Sequence, residues 1–231
     1  MLQPKRFHLG WFVNFTVNAW NETWADNNGP DWTGGFYVDM ARALERTCFD
    51  YMILEDTCMV SDAYGGSFET SLKHAVFAPK HDPMPLVPLL AQATSRLGVV
   101  GTMSTSFYPP FLLARLSATL DHICQGRFGW NIVTSGEDRA AQNFGMEQLT
   151  EHDLRYDIAD EYVDLVCQLW DSWGPRSRRR PLAAAQPHPT TCLLAYHDIA
   201  IRASIMASAT PFWCCATPKH LTAKSGMISK P

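Results

Sequence analysis

Five polar side chains stand where a ligand would meet them. Asn131 lies in the stretch 126–135 (GRFGWNIVTS), where Phe128, Trp130 and Ile132 alternate with Gly129, Asn131 and Val133, so its carboxamide points away from the indole. A carboxamide in a buried strand needs hydrogen bonds, because leaving it unpaired costs about 1–3 kcal/mol. A ligand edge or a neighbouring polar group must supply them. Asp56 closes 48–56 (CFDYMILED) as the second of two carboxylates, and Thr102 stands with Ser104 and Thr105 where 98–106 (GVVGTMSTS) turns polar. His152 and Tyr156, four apart at the start of a helix, share one face beside the positive end of its dipole, where the phosphate or ring edge of an anionic cofactor is favoured. No nucleophile stands beside a base here, and no ligand set has metal spacing.

Each position also has a plainer reading. Asp56 reads as a cap for the next turn as well as a ligand contact, and Thr102 as a residue chosen for β-propensity. A His/Tyr pair at this spacing is commonly a surface feature of a helix. His74 and His81 read as solvated loop histidines, since neither has a carboxylate or cysteine at ligand spacing.

The elements that must place these groups alternate along the chain. Strands are expected over 7–15, 48–56, 98–106 and 126–135, all buried, and helices over 35–47, 85–97, 108–125 and 150–173. The first helix carries Phe36, Met40, Ala43 and Leu44 on one stripe, and the last carries Leu154, Ile158, Leu165 and Leu169. The third opens on Pro109 and Pro110 and stops at Gly126, and Thr150 to Asp153 reads as a capping box. Between them lie loops at 16–33, 57–83 and 135–145; Trp20, Trp24 and Trp32 in the first read as a lid or as packing on the rim. Strand and helix in alternation predict a parallel α/β chain, barrel or doubly wound, whose functional groups sit at strand C-termini.

Composition agrees with one globular domain. The 231 residues are 46% hydrophobic with a formal net charge of −4, which does not attract nucleic acid or an anionic membrane. No apolar run reaches the roughly 20 residues of a membrane span, and the start lacks a signal-peptide core, so a cytoplasmic protein is expected. The 7 cysteines have no metal spacing and are odd in number, which argues for thiols. Asn14 and Asn21 match the glycosylation pattern by chance on this reading.

The motifs YPPFLLAR at 108–115, TLD at 119–121, WNIVTS at 130–135, AAQNFG at 140–145 and EHDLRY at 151–156 occur in an order that resembles the bacterial luciferase-like flavin monooxygenases. Within them the similarity is to the nitrilotriacetate and dibenzothiophene-sulfone monooxygenase branch, over about residues 7–173. The resemblance implies a (β/α)8 TIM barrel and a two-component monooxygenase, with FMN supplied reduced as FMNH2 by a separate NAD(P)H:flavin reductase, O2 as co-substrate and a small organic substrate. It assigns Asp56, Thr102, Asn131, His152 and Tyr156 to the flavin, with His152 and Tyr156 as the catalytic pair. Such barrels commonly pair, which makes a homodimer the oligomer to look for. A deazaflavin-dependent oxidoreductase shares the fold and stays open as an alternative.

From 174 the text changes to a Pro/Arg/Ala-rich run and then a Cys-, Ala- and Thr-rich one, without strand and helix alternation. The domain expected at 1–173 is thus about four β/α units, a partial barrel, with an irregular, non-family tail over 174–231. Arg176, Arg178, Arg179 and Arg180 read as a solvated linker. Four parallel strands leave two open edges, so an unstable or catalytically inactive half-barrel is the rival expectation, with a frameshift, retained intron or premature end having replaced the second half.

Overall fold

A computed structural model describes residues 7–14, 16–18, 34–74 and 76–172. Trp20, Trp24 and Trp32 and the segment 174–231 lie outside the described residues.

Four strands, β1 (Gly10–Asn14), β3 (Tyr51–Glu55), β5 (Gly98–Ser104) and β6 (Phe128–Val133), form one parallel sheet in the order β1-β3-β5-β6. Short strands β2 (Thr16–Asn18) and β4 (Val76–Lys80) pair antiparallel apart from it. The helices are α1 (Gly35–Arg46), α2 (Glu69–Lys73), α3 (Leu86–Ala93), α4 (Pro110–Ile123), α5 (Asp138–Asn143) and α6 (His152–Asp171). Each new strand of the main sheet lies beside the one before it, with helical crossovers between, as in part of a (β/α)8 barrel. No helix among the described residues is long and apolar enough to cross a membrane.

Several expectations need correction. The stretch 57–83 is not one loop: it contains α2 and β4, and 135–145 contains α5. The first strand is not buried, for Trp11 is 45% and Phe12 52% exposed and only Val13 is covered. Among the described residues β1 is the edge of the sheet, with a neighbouring strand on one side only. On α6 the buried residues are Ala159, Tyr162 and Val166, whereas Leu154, Ile158 and Leu165 are exposed. That face is chosen by its contacts with α4 and the turn before it: Tyr162 Oη donates to the Tyr108 carbonyl at 2.8 Å and Trp170 Nε1 to the Ala114 carbonyl of α4 at 3.1 Å. On α1, Tyr37, Ala41 and Leu44 are buried and Phe36 faces out.

The core forms on the outer face of β5 and β6. Trp130 is fully buried, donates from Nε1 to the Met103 carbonyl at 2.9 Å, and meets Tyr162 and Trp170 of α6 with its ring. Beside it in register, a Cβ added at Gly101 would press on the end of the Met84 side chain and touch Val87 Cγ2 of α3 at 3.4 Å. The missing side chain lets Met84 and Val87 lie close over β5.

Helix ends follow a common rule with different residues. Pro109 and Pro110 open α4, where a missing N–H costs nothing. At its end Gly126 N–H bonds the Asp121 carbonyl and Gln125 N–H the His122 carbonyl, the paired bonds of a Schellman cap. The left-handed position belongs to Gln125 (φ 55°), with Gly126 following at φ 78°. At the end of α1 Cys48 takes the same place at φ 64°.

Candidate cofactor and substrate site

Register brings two of the five expected residues together. Thr102 of β5 lies opposite Asn131 of β6. Asn131 Nδ2 donates to Thr102 Oγ1 at 2.9 Å, and Thr102 Oγ1 donates to the Leu54 carbonyl of β3 at 2.7 Å. Both side chains are buried, so the carboxamide meets its need through a neighbouring polar group. Pairing of Leu54 with Gly101 sets the next residue, Glu55, level with Thr102. Glu55 forms an ion pair with Lys80 of β4, while its Oε1 is buried without a hydrogen-bond partner.

Asp56 follows at the C-terminal end of β3, and it both caps and lines. Its carboxylate accepts the Cys58 N–H at 2.9 Å and the Cys58 thiol at 3.1 Å, closing a turn in which Cys58 adopts φ 56°. The same carboxylate borders a cleft of about 650 Å3 that is also lined by Cys58, Met59, Tyr108, Asp82 and Phe144. His81, expected in solvent, lines it too. Burial, reinforced by Asp56, pushes the Cys58 thiol well above its usual range, and burial with Asp82 does the same for the Tyr108 hydroxyl. Cys58 is therefore a hydrogen-bond donor here and not a nucleophile.

His152 and Tyr156 stand together, ring centroids 5.1 Å apart, on the first turn of α6. Neither lines the cleft, and the His152 side chain is 54% exposed with Nδ1 2.8 Å from Asp153 Oδ1. The capping box expected from Thr150 is absent. Glu151 caps instead, accepting the N–H groups of Asp153 at 2.9 Å and Leu154 at 3.1 Å, so a carboxylate already sits where an incoming anion would bind. The structure thus places Thr102 with Asn131, His152 with Tyr156, and Asp56 in the cleft.

Sequence reasoning missed Cys58, Lys80, Tyr108 and the tie from α5. Asn143 Nδ2 donates to the Cys58 carbonyl at 3.0 Å, and Arg139 Nε meets Asp62 Oδ2 at 2.7 Å, so α5 is bound to the loop after β3. The Asp56-x-Cys58 spacing was the available signal for the turn; nothing local announces a contact 85 residues apart.

The donor and acceptor set suits a flat heteroaromatic ring. An ionised carboxylate has about four acceptor sites, of which Asp56 uses two on Cys58. The orphaned Glu55 Oε1 is buried beside the Lys80 ion pair, and Glu55 is not among the residues that line the cleft. Flavin fits this end of the sheet on those grounds.

Comparison with known proteins agrees. A family model described as luciferase-like monooxygenase matches residues 8–218. The dibenzothiophene-sulfone monooxygenase of Rhodococcus erythropolis (strain XP) is 40% identical over 179 residues, 75% of this chain and 39% of that protein. The nitrilotriacetate monooxygenase component A of Aminobacter aminovorans is 40% identical over 143 residues, 59% of this chain and 31% of that protein. The crystal structure of riboflavin lyase (RcaE), with modified FMN and riboflavin, superposes with a TM-score of 0.67 at 31% identity, over 80% of this chain and 42% of that one. The chain spans less than half the length of these relatives.

Proposed function

The chain belongs to the luciferase-like monooxygenase family, and from that premise we propose that it serves a two-component, FMN-dependent monooxygenation of a small organic substrate. The observation that carries this reading is the cleft at the C-terminal end of β3, where the Asp56 carboxylate offers acceptors to a ring edge. FMN, reduced by a separate flavin reductase, would supply the activation of O2. The chain's own residues do the rest. Asp56, fixed by Cys58, orients the ring through an N–H edge. Asn131 and Thr102 hold the polar layer beneath it in one arrangement, which favours a preorganised ring position. The apolar lining, with Met59, Leu112 and Phe144, excludes water.

His152 and Tyr156 are proposed to meet the flavin as donors from the side of α6, where Tyr156 presents a hydroxyl beside the imidazole. A second reading, a half-barrel with weak flavin affinity, is favoured by the edge that β1 leaves open among the described residues and by the separation of this pair from the cleft.

Anaerobic titration with FMNH2 and aerobic titration with FMN, read by flavin fluorescence and absorbance, separate the two. Saturable binding that Asn131→Ala weakens about tenfold or more supports the monooxygenase reading, since one buried hydrogen-bonding group is worth roughly 1–3 kcal/mol. Absence of any flavin affinity sinks it, and an unchanged dissociation constant in Asn131→Ala removes Asn131 from the site.

A further inference from the structure

We propose that two copies of this chain join edge to edge and close one parallel barrel between them, β6 of each pairing with β1 of the other. The pair shares a single barrel, unlike two barrels set side by side, and the inference stands whether or not flavin binds. Sheet and helices run out at the same places. Among the described residues β1 and β6 are the ends of the main sheet, each with a neighbouring strand on one side only. The helices over its outer face pack in the same order, α1 on α3, α3 on α4 and α4 on α6, so α6 ends the row where β6 ends the sheet. Because all the strands are parallel, a twofold axis along them sets β6 beside β1 in the same sense twice, and two sets of four strands make the eight of a closed barrel.

Neither edge is defended against such pairing. Proteins ordinarily blunt an open edge strand with charge or proline. Strand β1 reads GWFVN and β6 reads FGWNIV, close in length and with no charged residue or proline in either.

Exposed apolar side chains stand where the joint would bury them. Trp11 is level with Met52, Val99 and Phe128 on the outer face, and those three are buried while Trp11 stays nearly half exposed. At the other end of the row, Leu154, Ile158 and Leu165 form an exposed stripe on α6, which packs inward through Ala159, Tyr162 and Val166. Joining the edges lays that stripe over the outer face of the partner's β1 and supplies the cover that Trp11 lacks. Phe12 points to the opposite, inner face, level with Ile53 and Val100, and is half exposed as well. A strand on the free side of β1 and a second concave sheet facing it enclose this ring. One operation therefore meets the bare backbone edge, the outer tryptophan and the inner phenylalanine together. A second copy is the occupant that fits, because the two complementary surfaces belong to opposite ends of the same chain and a twofold uses each of them once.

Sedimentation equilibrium of the full chain over a range of concentrations tests this, with circular dichroism of every variant as the check on folding. The parent is expected at twice the mass of one chain. Ile158→Lys and Trp11→Lys should each weaken association at least tenfold without changing the dichroism spectrum, whereas Leu89→Lys, at an exposed position of α3 inside the row, should leave it intact. Photo-reactive benzoylphenylalanine placed at position 158, in a mixture of isotopically light and heavy chains, should label residues 10–14 of the other copy. A monomer at all concentrations, a dimer indifferent to Ile158→Lys, or a cross-link from position 158 confined to its own chain or to α6 of the other copy overturns the proposal. So does a polymer that grows with concentration, since edges that pair without closing build an open filament.

Discussion

Asn131 and Thr102 share a hydrogen bond of 2.9 Å that extends through the threonine hydroxyl to the Leu54 carbonyl, so side chains join three adjacent strands across one face of the sheet. Replacing Thr102 by valine removes both links and leaves a buried amide donor and a carbonyl short of a partner. Thr102→Val is expected to lower unfolding stability by about 1–3 kcal/mol, and Thr102→Ser to keep most of it. Urea denaturation of the three proteins measures the difference; equal midpoints would show that the relay contributes nothing.

Asp121 works against the fold at neutral pH. It is buried on α4, its Oδ1 has no hydrogen-bond partner, and burial, weakly opposed by His122, pushes its carboxyl up to about 6. Between the ordinary aspartate value of 3.8 and about 6 the folded protein binds the extra proton, so its stability falls as pH rises through that window. Asp121→Asn should therefore be more stable than the parent above pH 6, by at most about 3 kcal/mol, with the gap closing near pH 4. Thermal unfolding from pH 4 to 8 reads the sign; a gap independent of pH refutes it.

Glu45 acts in the opposite sense. Burial alone would raise its pKa, but the backbone N–H groups of Ser95, Arg96 and Leu97 all bond its carboxylate and hold it below the usual value. The contribution is present above the unfolded pKa and is lost as pH falls through the folded one. Because the group is largely solvated, Glu45→Ala should cost only about 1 kcal/mol at pH 7. Parent and variant should converge in acid, and a difference that persists below pH 3 would point to lost packing instead.

Two helix ends carry strain that glycine would relieve. Cys48 and Gln125 occupy left-handed positions that Gly145 fills naturally after α5, at φ 80°. Gln125→Gly and Cys48→Gly should each stabilise by about 0.5–1 kcal/mol, the backbone gain being partly offset by a freer unfolded chain. Gly145→Ala should destabilise by a similar amount. Chemical denaturation of the set gives the ranking, and a loss in Gln125→Gly would mean that its side chain matters more than its backbone.

The alternation of strands and helices was legible because the strands are short apolar runs and the helix boundaries carry prolines and glycines. The parallel direction of the strands follows from that alternation, but the register that sets Asn131 against Thr102 does not. What was not legible depends on partners far along the chain. The face of α6 is set by Ala114 on α4 and by Tyr108 just before it, so Tyr162 and Trp170 outrank the more obvious leucines. Strand β4 is short and contains a proline, and its pairing with β2 has no signal in its own residues. The cleft was invisible for the same reason: Phe107 and Phe144 meet only after β6 has packed beside β5. Asp56 was found by its position at a strand end, whereas its thiol donor, two residues on, belongs to a residue type that suggests other chemistry.

The order of strands in the main sheet is also an order in time. Since β1, β3, β5 and β6 are neighbours in the sequence in which they are synthesised, each can dock on a template already outside the ribosome, with no earlier strand waiting for a later one to be threaded between. The growing front is always the newest strand, and among the described residues the oldest, β1, has a neighbouring strand on one side only. Trp11 and Phe12, exposed on that strand, are apolar surface of the kind that makes a folding chain prone to association.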